Sequence, residues 1–469
     1  MGKHGAIMKR DTQGSARSSN GARNRLSAQD RAAHDWYRFV LSFPPHLVRD
    51  YLQRFAIGPD HTVLDPFCGT GTTIVECRKL GIPSVGVEAN PFAHFASTVK
   101  TDWSPDPDGL LKHAREVAEL AKEKLQSEGL EDDPPLPLFK STRAGGLDYP
   151  KVLRKLPLEM EKLLLANSIS PLPLHKSLVL LECLNQVRND QYRKHELLAL
   201  GKALVYSISN LHFGPEVGVA PAKPDSPVIA PWLAVVEKMA ADLRSLRNMD
   251  GTPTTVCNAD ARRISQILTS STIDAVITSP PYPNEKDYTR TTRLESVLLG
   301  FISSKSDLQA LKQGLVRSNT RGVYKGDDDD RWVADHDEIQ RIAKAIEKRR
   351  VELGKTSGFE RQYHKVTKLY FGGMARHFAE LRTVLRPGSQ LAYVVGDQAS
   401  YLRVMIRTGQ LLADIAESLG YQVVNIELFR TRLATATRDQ LREEVVILRW
   451  PGPRRPRQLA GVKRFEVVR

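Results

Sequence analysis

Ser279, Pro280, Pro281 and Tyr282 bring three kinds of chemistry to one point of the chain. Ser279 carries a hydroxyl. The carbonyl of Pro280 is held in place because the residue after it is also a proline, which restricts the backbone on both sides. Tyr282 carries a flat aromatic ring. Two acceptors and a ring suit an exocyclic amino group on a planar base: the acceptors take its N–H bonds while the ring lies on its face. Standing alone, the same four residues are an ordinary turn, so the reading depends on what the rest of the chain supplies.

A second cluster lies upstream, from Asp65 to Thr73. Gly69 and Gly71 let backbone approach a ligand closely, and the helix that follows offers free N–H groups at its start. A phosphate loop would need Gly-Lys-Ser/Thr, and no lysine stands there; a dinucleotide fingerprint would need a third glycine where Ile74 stands. A pyrophosphate cradle is therefore disfavoured. Asp65, at a strand end, adds a negative charge that suits a cationic or amine-bearing ligand. Glu88 ends the following strand, where an acid commonly takes two ribose hydroxyls; a solvated loop acid is the alternative. Asn90 and Pro91 then read as the cap and first residue of another helix.

These groups need strands that stop where they stand. Residues 62–64, 84–88 and 273–277 are short apolar runs closed by turn residues and read as strands. Residues 74–80 read as the helix after the glycine turn, with Gly81 as its stop. Further on, the pattern predicts a helix over 370–385, a turn at 386–388 and a strand over 391–396. A helix over 402–419 and strands over 423–429 and 444–450 complete it. Two stretches interrupt this α/β order. Residues 104–253 are dominated by helical periodicity with proline-rich links. Residues 303–360 are charged, include Asp327 to Asp330, and are expected to be mobile or ordered only with substrate. The core parts are then 31–103, 254–302 and 361–450. Residues 1–30 form a basic arm expected to be disordered, and 451–469 a basic tail.

Composition sets limits. Sixty-eight Lys and Arg against 54 Asp and Glu give the 469 residues a net charge of +14, which favours a polyanionic partner once a base-shaped motif is present. No apolar run is long enough for a membrane span, and the N-terminus lacks the apolar core of a secretory signal, so a cytoplasmic protein is expected. Cys68, Cys77, Cys183 and Cys257 lie far apart with no Cys-x-x-Cys pair; reduced thiols and no metal site are expected.

Taken together, the two clusters resemble motifs of the S-adenosylmethionine-dependent amino-methyltransferases of DNA. Residues 65–73 resemble their Asp-Pro-Phe-x-Gly-x-Gly-Thr-Thr cofactor motif. Residues 278–282 resemble their catalytic motif, in the Ser-Pro-Pro-Tyr form most associated with cytosine N4 methylation. Residues 43–48 resemble their Phe-Pro-x-x-Leu segment. The resemblance covers about residues 34–103, 254–300 and 370–450. It implies a Rossmann-like methyltransferase fold, with a mostly parallel twisted sheet, a closing antiparallel hairpin and a large helical insertion. It implies S-adenosylmethionine as cofactor, with Phe67, Gly69 and Gly71 along its methionine part and Asp65 near its amino group. Phe43 would lie over the cofactor, Glu88 at the ribose and Asp260 by the adenine, a helix cap being the alternative for Asp260. Thr72 and Asn90 join this cofactor set. Ser279 and Pro280 would hold the target amino group and Tyr282 would stack on the base. The motif order makes 104–253 a candidate target-recognition region; the second insertion departs from the family's pattern.

Double-stranded DNA is the expected substrate, and a restriction or defence-system partner is compatible with it. An adenine-N6 enzyme, an RNA or protein amine methyltransferase, and a catalytically silent DNA-binding scaffold are the alternatives. C5-cytosine methylation is excluded: it needs a thiolate, usually in Pro-Cys, and none of the four cysteines follows a proline.

Overall fold

The computed structural model describes residues 26–39, 42–133, 153–213, 217–249, 251–284, 286–433 and 440–453. The apolar runs become strands β1 (Val63–Asp65), β2 (Ser84–Glu88), β3 (Leu211–Phe213), β4 (Val217–Val219), β5 (Thr254–Asn258), β6 (Ile273–Thr278), β7 (Leu385–Gly396), β8 (Gln422–Leu433) and β9 (Gln440–Arg449). Seven of them form one sheet in the order β5-β2-β1-β6-β7-β9-β8. The five from β5 to β7 run parallel, and β9 pairs antiparallel with both β7 and β8. This is the expected Rossmann-like order with its closing hairpin.

The chain moves outward from β1 through β2 to β5, then returns to the other side of β1 for β6 and β7. A crevice forms where the direction of winding reverses, outside the carboxyl ends of β1 and β6. Val63 pairs with Ala275 and Leu64 with Val276. The register therefore brings Asp65 beside the end of β6, where the Ser-Pro-Pro-Tyr corner begins.

Helices α1 (Pro45–Arg54), α2 (Thr72–Lys79) and α3 (Pro91–Lys100) flank this half of the sheet. Pro45 and Pro91 occupy first helical positions, where a missing N–H costs nothing. The 104–253 insertion contributes α4 (Pro107–Ser127), α5 (Pro171–Gln186), α6 (Arg193–Ala203), α7 (Ile229–Leu246) and the β3–β4 ribbon. It is not a separate globule. Phe92, Val99 and Trp103 share one apolar core with Leu110, Val117, Trp232 and Met239.

The second insertion differs from expectation. It holds α8 (Lys305–Gln313) and α9 (Asp337–Glu352), and α9 packs on α10 (Tyr363–Leu381). Ile339, Ile342 and Ile346 recur at helical spacing within the charged sequence and bury one stripe beside Val366, Tyr370 and Phe371. That stripe, outnumbered by charges, is why composition suggested mobility. The 386–388 turn is likewise absorbed into β7. Ile273 pairs with Leu385 and Ala275 with Gln390, so residues 386–389 bulge from a continuous strand.

A final helix, α11 (Thr408–Ser418), starts later than its apolar periodicity suggested, because Leu402 and Arg403 both have positive φ. At the N-terminus, residues 1–25 of the expected arm lie outside the described residues. Its last residues are ordered: Asp30 is buried and pairs with Arg49 at 2.9 Å. Of the basic tail, residues 454–469 also lie outside them. No helix among the described residues is long and apolar enough to cross a membrane.

Candidate functional site

A cavity of about 360 Å³ opens at the carboxyl ends of the strands, where the winding reverses. From the cofactor set, Phe43, Phe67, Gly69, Thr72, Glu88, Asn90 and Asp260 line it. From the catalytic set, Ser279, Pro280, Pro281 and Tyr282 do so. Asp65 and Gly71 stand directly behind this wall, both buried. Residues separated by more than 200 positions thus face one space.

Asp65 is wholly buried. Its Oδ1 accepts from the Thr278 hydroxyl at 2.6 Å and from the Phe67 N–H at 3.2 Å. The Thr73 hydroxyl, close by, donates instead to the Ile277 carbonyl at 3.0 Å. Asp65 Oδ2 is left buried without a hydrogen-bond partner among the described residues, and burial pushes the carboxyl up to about 6. An orphaned buried oxygen is costly unless a ligand donor reaches it. The amino group of an amino-acid-bearing cofactor is such a donor.

Glu88 is tied at both oxygens. Oε2 accepts from Gly69 N–H at 2.8 Å and Oε1 from Asn90 N–H at 2.7 Å. Burial outweighs these bonds and raises the carboxyl to about 7. Each oxygen keeps one further lone pair, enough for a pair of ribose hydroxyls. Gly71 has φ +85°, and a Cβ there would lie 3.0 Å from Ser97 Cβ, so only glycine serves at this point of the cradle.

Two members of the cofactor set are occupied by the chain itself. Asn90 Oδ1 accepts from Phe92 and Ala93 N–H, and its Nδ2 donates to Thr292. Its side chain caps α3 and so fixes the turn that carries Glu88. Asp260 caps the short turn of helix over Ala261–Gln266 and also pairs with Arg262. It lines the cavity as well.

At the catalytic corner, Ser279 Oγ donates to the Val394 carbonyl of β7 at 3.0 Å. Among the described residues, no donor engages the Pro280 carbonyl. The Tyr282 ring packs on the end of β7: a Cβ on Gly396 would lie 3.1 Å from it.

Several lining residues escaped the sequence reading. Tyr37, Arg38 and Phe39 come from the N-terminal segment, Phe429, Arg430 and Arg432 from β8, and residues 314–319, 321 and 322 from the second insertion. Among the lining cations, Arg317 pairs with Asp327, Lys312 with Asp287, and Arg430 and Arg432 with Glu443. Lys100 was also missed. It is fully buried under the glycine turn, where its Nζ donates to the Thr70 carbonyl at 2.6 Å, and burial lowers it to about 7. A lysine at the end of a helix gives no sequence signal for such a role.

A family model described as DNA methylase, for the N6 and N4 methyltransferases, matches residues 11–98, which include the glycine turn and Glu88. The chain is 24% identical over 458 residues to the Type II methyltransferase M.BsoBI of Geobacillus stearothermophilus, covering 90% of this chain and 85% of that one. It is 30% identical over 206 residues to the Type II methyltransferase M.AvaI of Nostoc, covering 41% and 42%. It is 37% identical over 111 residues to the Type II methyltransferase M.MjaII of Methanocaldococcus jannaschii, covering 23% and 20%. The cradle, the corner and these relatives point the same way: the chain is similar to DNA amino-methyltransferases, and the site is one that fits S-adenosylmethionine.

Proposed function

We propose that this protein transfers a methyl group from S-adenosylmethionine to the exocyclic N4 amino group of cytosine at a specific site in double-stranded DNA. The observation that supports it most is that the Ser279–Pro280 acceptors and the Gly69–Glu88 cradle face one cavity.

When bound, S-adenosylmethionine supplies an electrophilic methyl on its sulfonium. Asp65 accepts from the cofactor's amino group, Glu88 from the ribose hydroxyls and Asp260 from the adenine amino group. The remaining work is done on the nucleobase. An exocyclic amino nitrogen is a poor nucleophile because its lone pair is delocalised into the ring. The Ser279 hydroxyl already donates its hydrogen bond to the Val394 carbonyl, so an Oγ lone pair can accept one N–H of the target, and the Pro280 carbonyl accepts the other. Two acceptors placed out of the base plane pull the nitrogen toward tetrahedral geometry and localise its lone pair. Attack then needs no covalent enzyme intermediate: the new N–CH3 bond would replace the S–CH3 bond, the surplus proton on the nitrogen leaves to solvent, and catalysis is positioning and electrostatics. The target must leave the duplex first, and the Tyr282 ring is the face that receives it. Cytosine is favoured over adenine by the serine that opens the catalytic motif. The Type II relatives make a partner restriction activity the natural setting, with residues 104–253 as the target-recognition region.

Mass spectrometry of nucleosides from DNA of cells expressing the protein is expected to show N4-methylcytosine. N6-methyladenine instead would overturn the base assignment, and no methylated base would overturn the reaction. DNA against RNA competition separates the polynucleotide classes, and sequencing of the modified positions gives the target site.

A further inference from the structure

Glycine is a poor helix former, yet Gly372 and Gly373 stand side by side inside α10. A Cβ on Gly372 would lie 1.9 Å from the Asp329 carbonyl oxygen, and one on Gly373 would lie 3.3 Å from the Asp329 carboxylate. The pair forms a notch, and Asp329 fills it at 4% exposure. This residue belongs to the acidic run of the second insertion, which the reaction described above does not use.

The Asp329 carboxylate joins two arginines. Oδ2 pairs with Nη1 of Arg262, which is equally buried, and Oδ1 lies 3.4 Å from Nη1 of Arg376. Arg262 also closes on Asp260. Its Nε reaches the two Asp260 oxygens at 3.0 and 3.1 Å, its Nη2 reaches Oδ2 at 2.7 Å, and its backbone N–H reaches Oδ1 at 2.9 Å. Three N–H groups thus make four contacts, two to each oxygen, with the Nε–H shared between them, and Nη2 also donates to the Gln313 carbonyl at 2.8 Å. The share of the carboxylate left to a ligand donor is set by where the guanidinium is held. Beside it, Ala259 N–H donates to the Glu88 carbonyl at 3.2 Å, so this corner adjoins the ribose acid.

We infer that Asp329 is a positioning residue for the cofactor: from the second insertion it fixes Arg262, and through Arg262 it sets how the Asp260 carboxylate faces the adenine amino group. A buried guanidinium between two carboxylates has one low-energy placement. Removing one carboxylate leaves it half-compensated and free to pull Asp260 with it. The inference rests on the reading of Asp260 as the adenine partner.

Calorimetric titration of S-adenosylmethionine into the full chain and its variants decides the matter. Asp329→Asn is expected to weaken binding about tenfold. It is expected to weaken adenosine by the same factor, because the change is confined to the adenine end. Ile346→Val, a buried change in the same insertion, is expected to lower the melting temperature and leave both affinities alone. Equal loss of affinity in Ile346→Val would mean that Asp329 acts only by holding the insertion together, and would overturn the inference. Asp260→Asn separates the two layers. If it weakens binding and Asp329→Asn does not, the inference fails by itself; if neither does, the adenine reading of Asp260 fails. Should Asp329→Asn not fold, Arg376→Gln, which frees only the outer oxygen, is expected to give a smaller loss in the same direction, and unchanged affinity there overturns the inference.

Discussion

Ser279 has one hydroxyl hydrogen and donates it in a hydrogen bond to the Val394 carbonyl, which leaves Oγ an acceptor toward the cavity. Ser279→Ala removes that acceptor without touching the cradle. Ser279→Ala and Tyr282→Ala are expected to bind S-adenosylmethionine as the parent does while losing on the order of a hundredfold in methyl transfer. Calorimetry and single-turnover assays check this; parallel loss of binding would remove both residues from the catalytic corner. The two cradle acids make a second residue-scale prediction. Burial raises Asp65 to about 6 and Glu88 to about 7, above their ordinary values. The folded, cofactor-free protein therefore favours their protonated forms. That contribution to stability is complete below about pH 4 and fades as pH rises through about 7. Cofactor binding uses the ionised forms, so affinity should rise from pH 5 to 8 while the cofactor-free melting temperature falls. An affinity flat across that range would mean neither acid meets the ligand.

The decisive element is the turn between β1 and α2. Its positive φ values at Gly69 and Gly71 form a concave backbone, and Lys100 pulls the Thr70 carbonyl from beneath. Gly71→Ala puts a Cβ at φ +85° and 3.0 Å from Ser97. It is expected to cost about 1–2 kcal/mol of stability by urea denaturation and to weaken the cofactor more than its stability loss explains. A variant with normal affinity would show that the turn adapts and that close backbone approach is not what the glycine supplies. The turn itself was legible in the sequence, because two glycines after a strand-ending Asp-Pro leave few other conformations. Lys100 was not, since its partner is a backbone carbonyl 30 residues away.

Across the whole molecule, the 104–253 helices and the cofactor half of the sheet share one apolar core. Trp232 is buried within it and donates to the Glu196 carbonyl at 3.0 Å. Trp232→Ala is expected to cost about 3–5 kcal/mol and to lower a single unfolding transition for insertion and sheet together, read by far-UV circular dichroism and by cofactor-binding loss. Two separate transitions would argue for an independent insertion domain. The shared core also means that deleting the insertion would expose Phe92 and Trp103, so a trimmed catalytic core is not expected to fold.

The sequence by itself determined the strand-ending residues, the glycine turn, the Ser-Pro-Pro-Tyr corner and the alternation of strand and helix. Each depends on neighbours within a few positions: φ restriction at proline, φ freedom at glycine, and apolar periodicity. Only the tertiary structure decided which insertion packs where and what closes the cavity, because those outcomes depend on partners tens to hundreds of residues apart. The second insertion illustrates the divide. Its charges dominate its composition, but a few isoleucines and one aspartate seated against two glycines determine where it docks. Asp65 shows it at one atom: the sequence places the carboxylate at a strand end, and only the fold leaves Oδ2 buried and waiting for a donor.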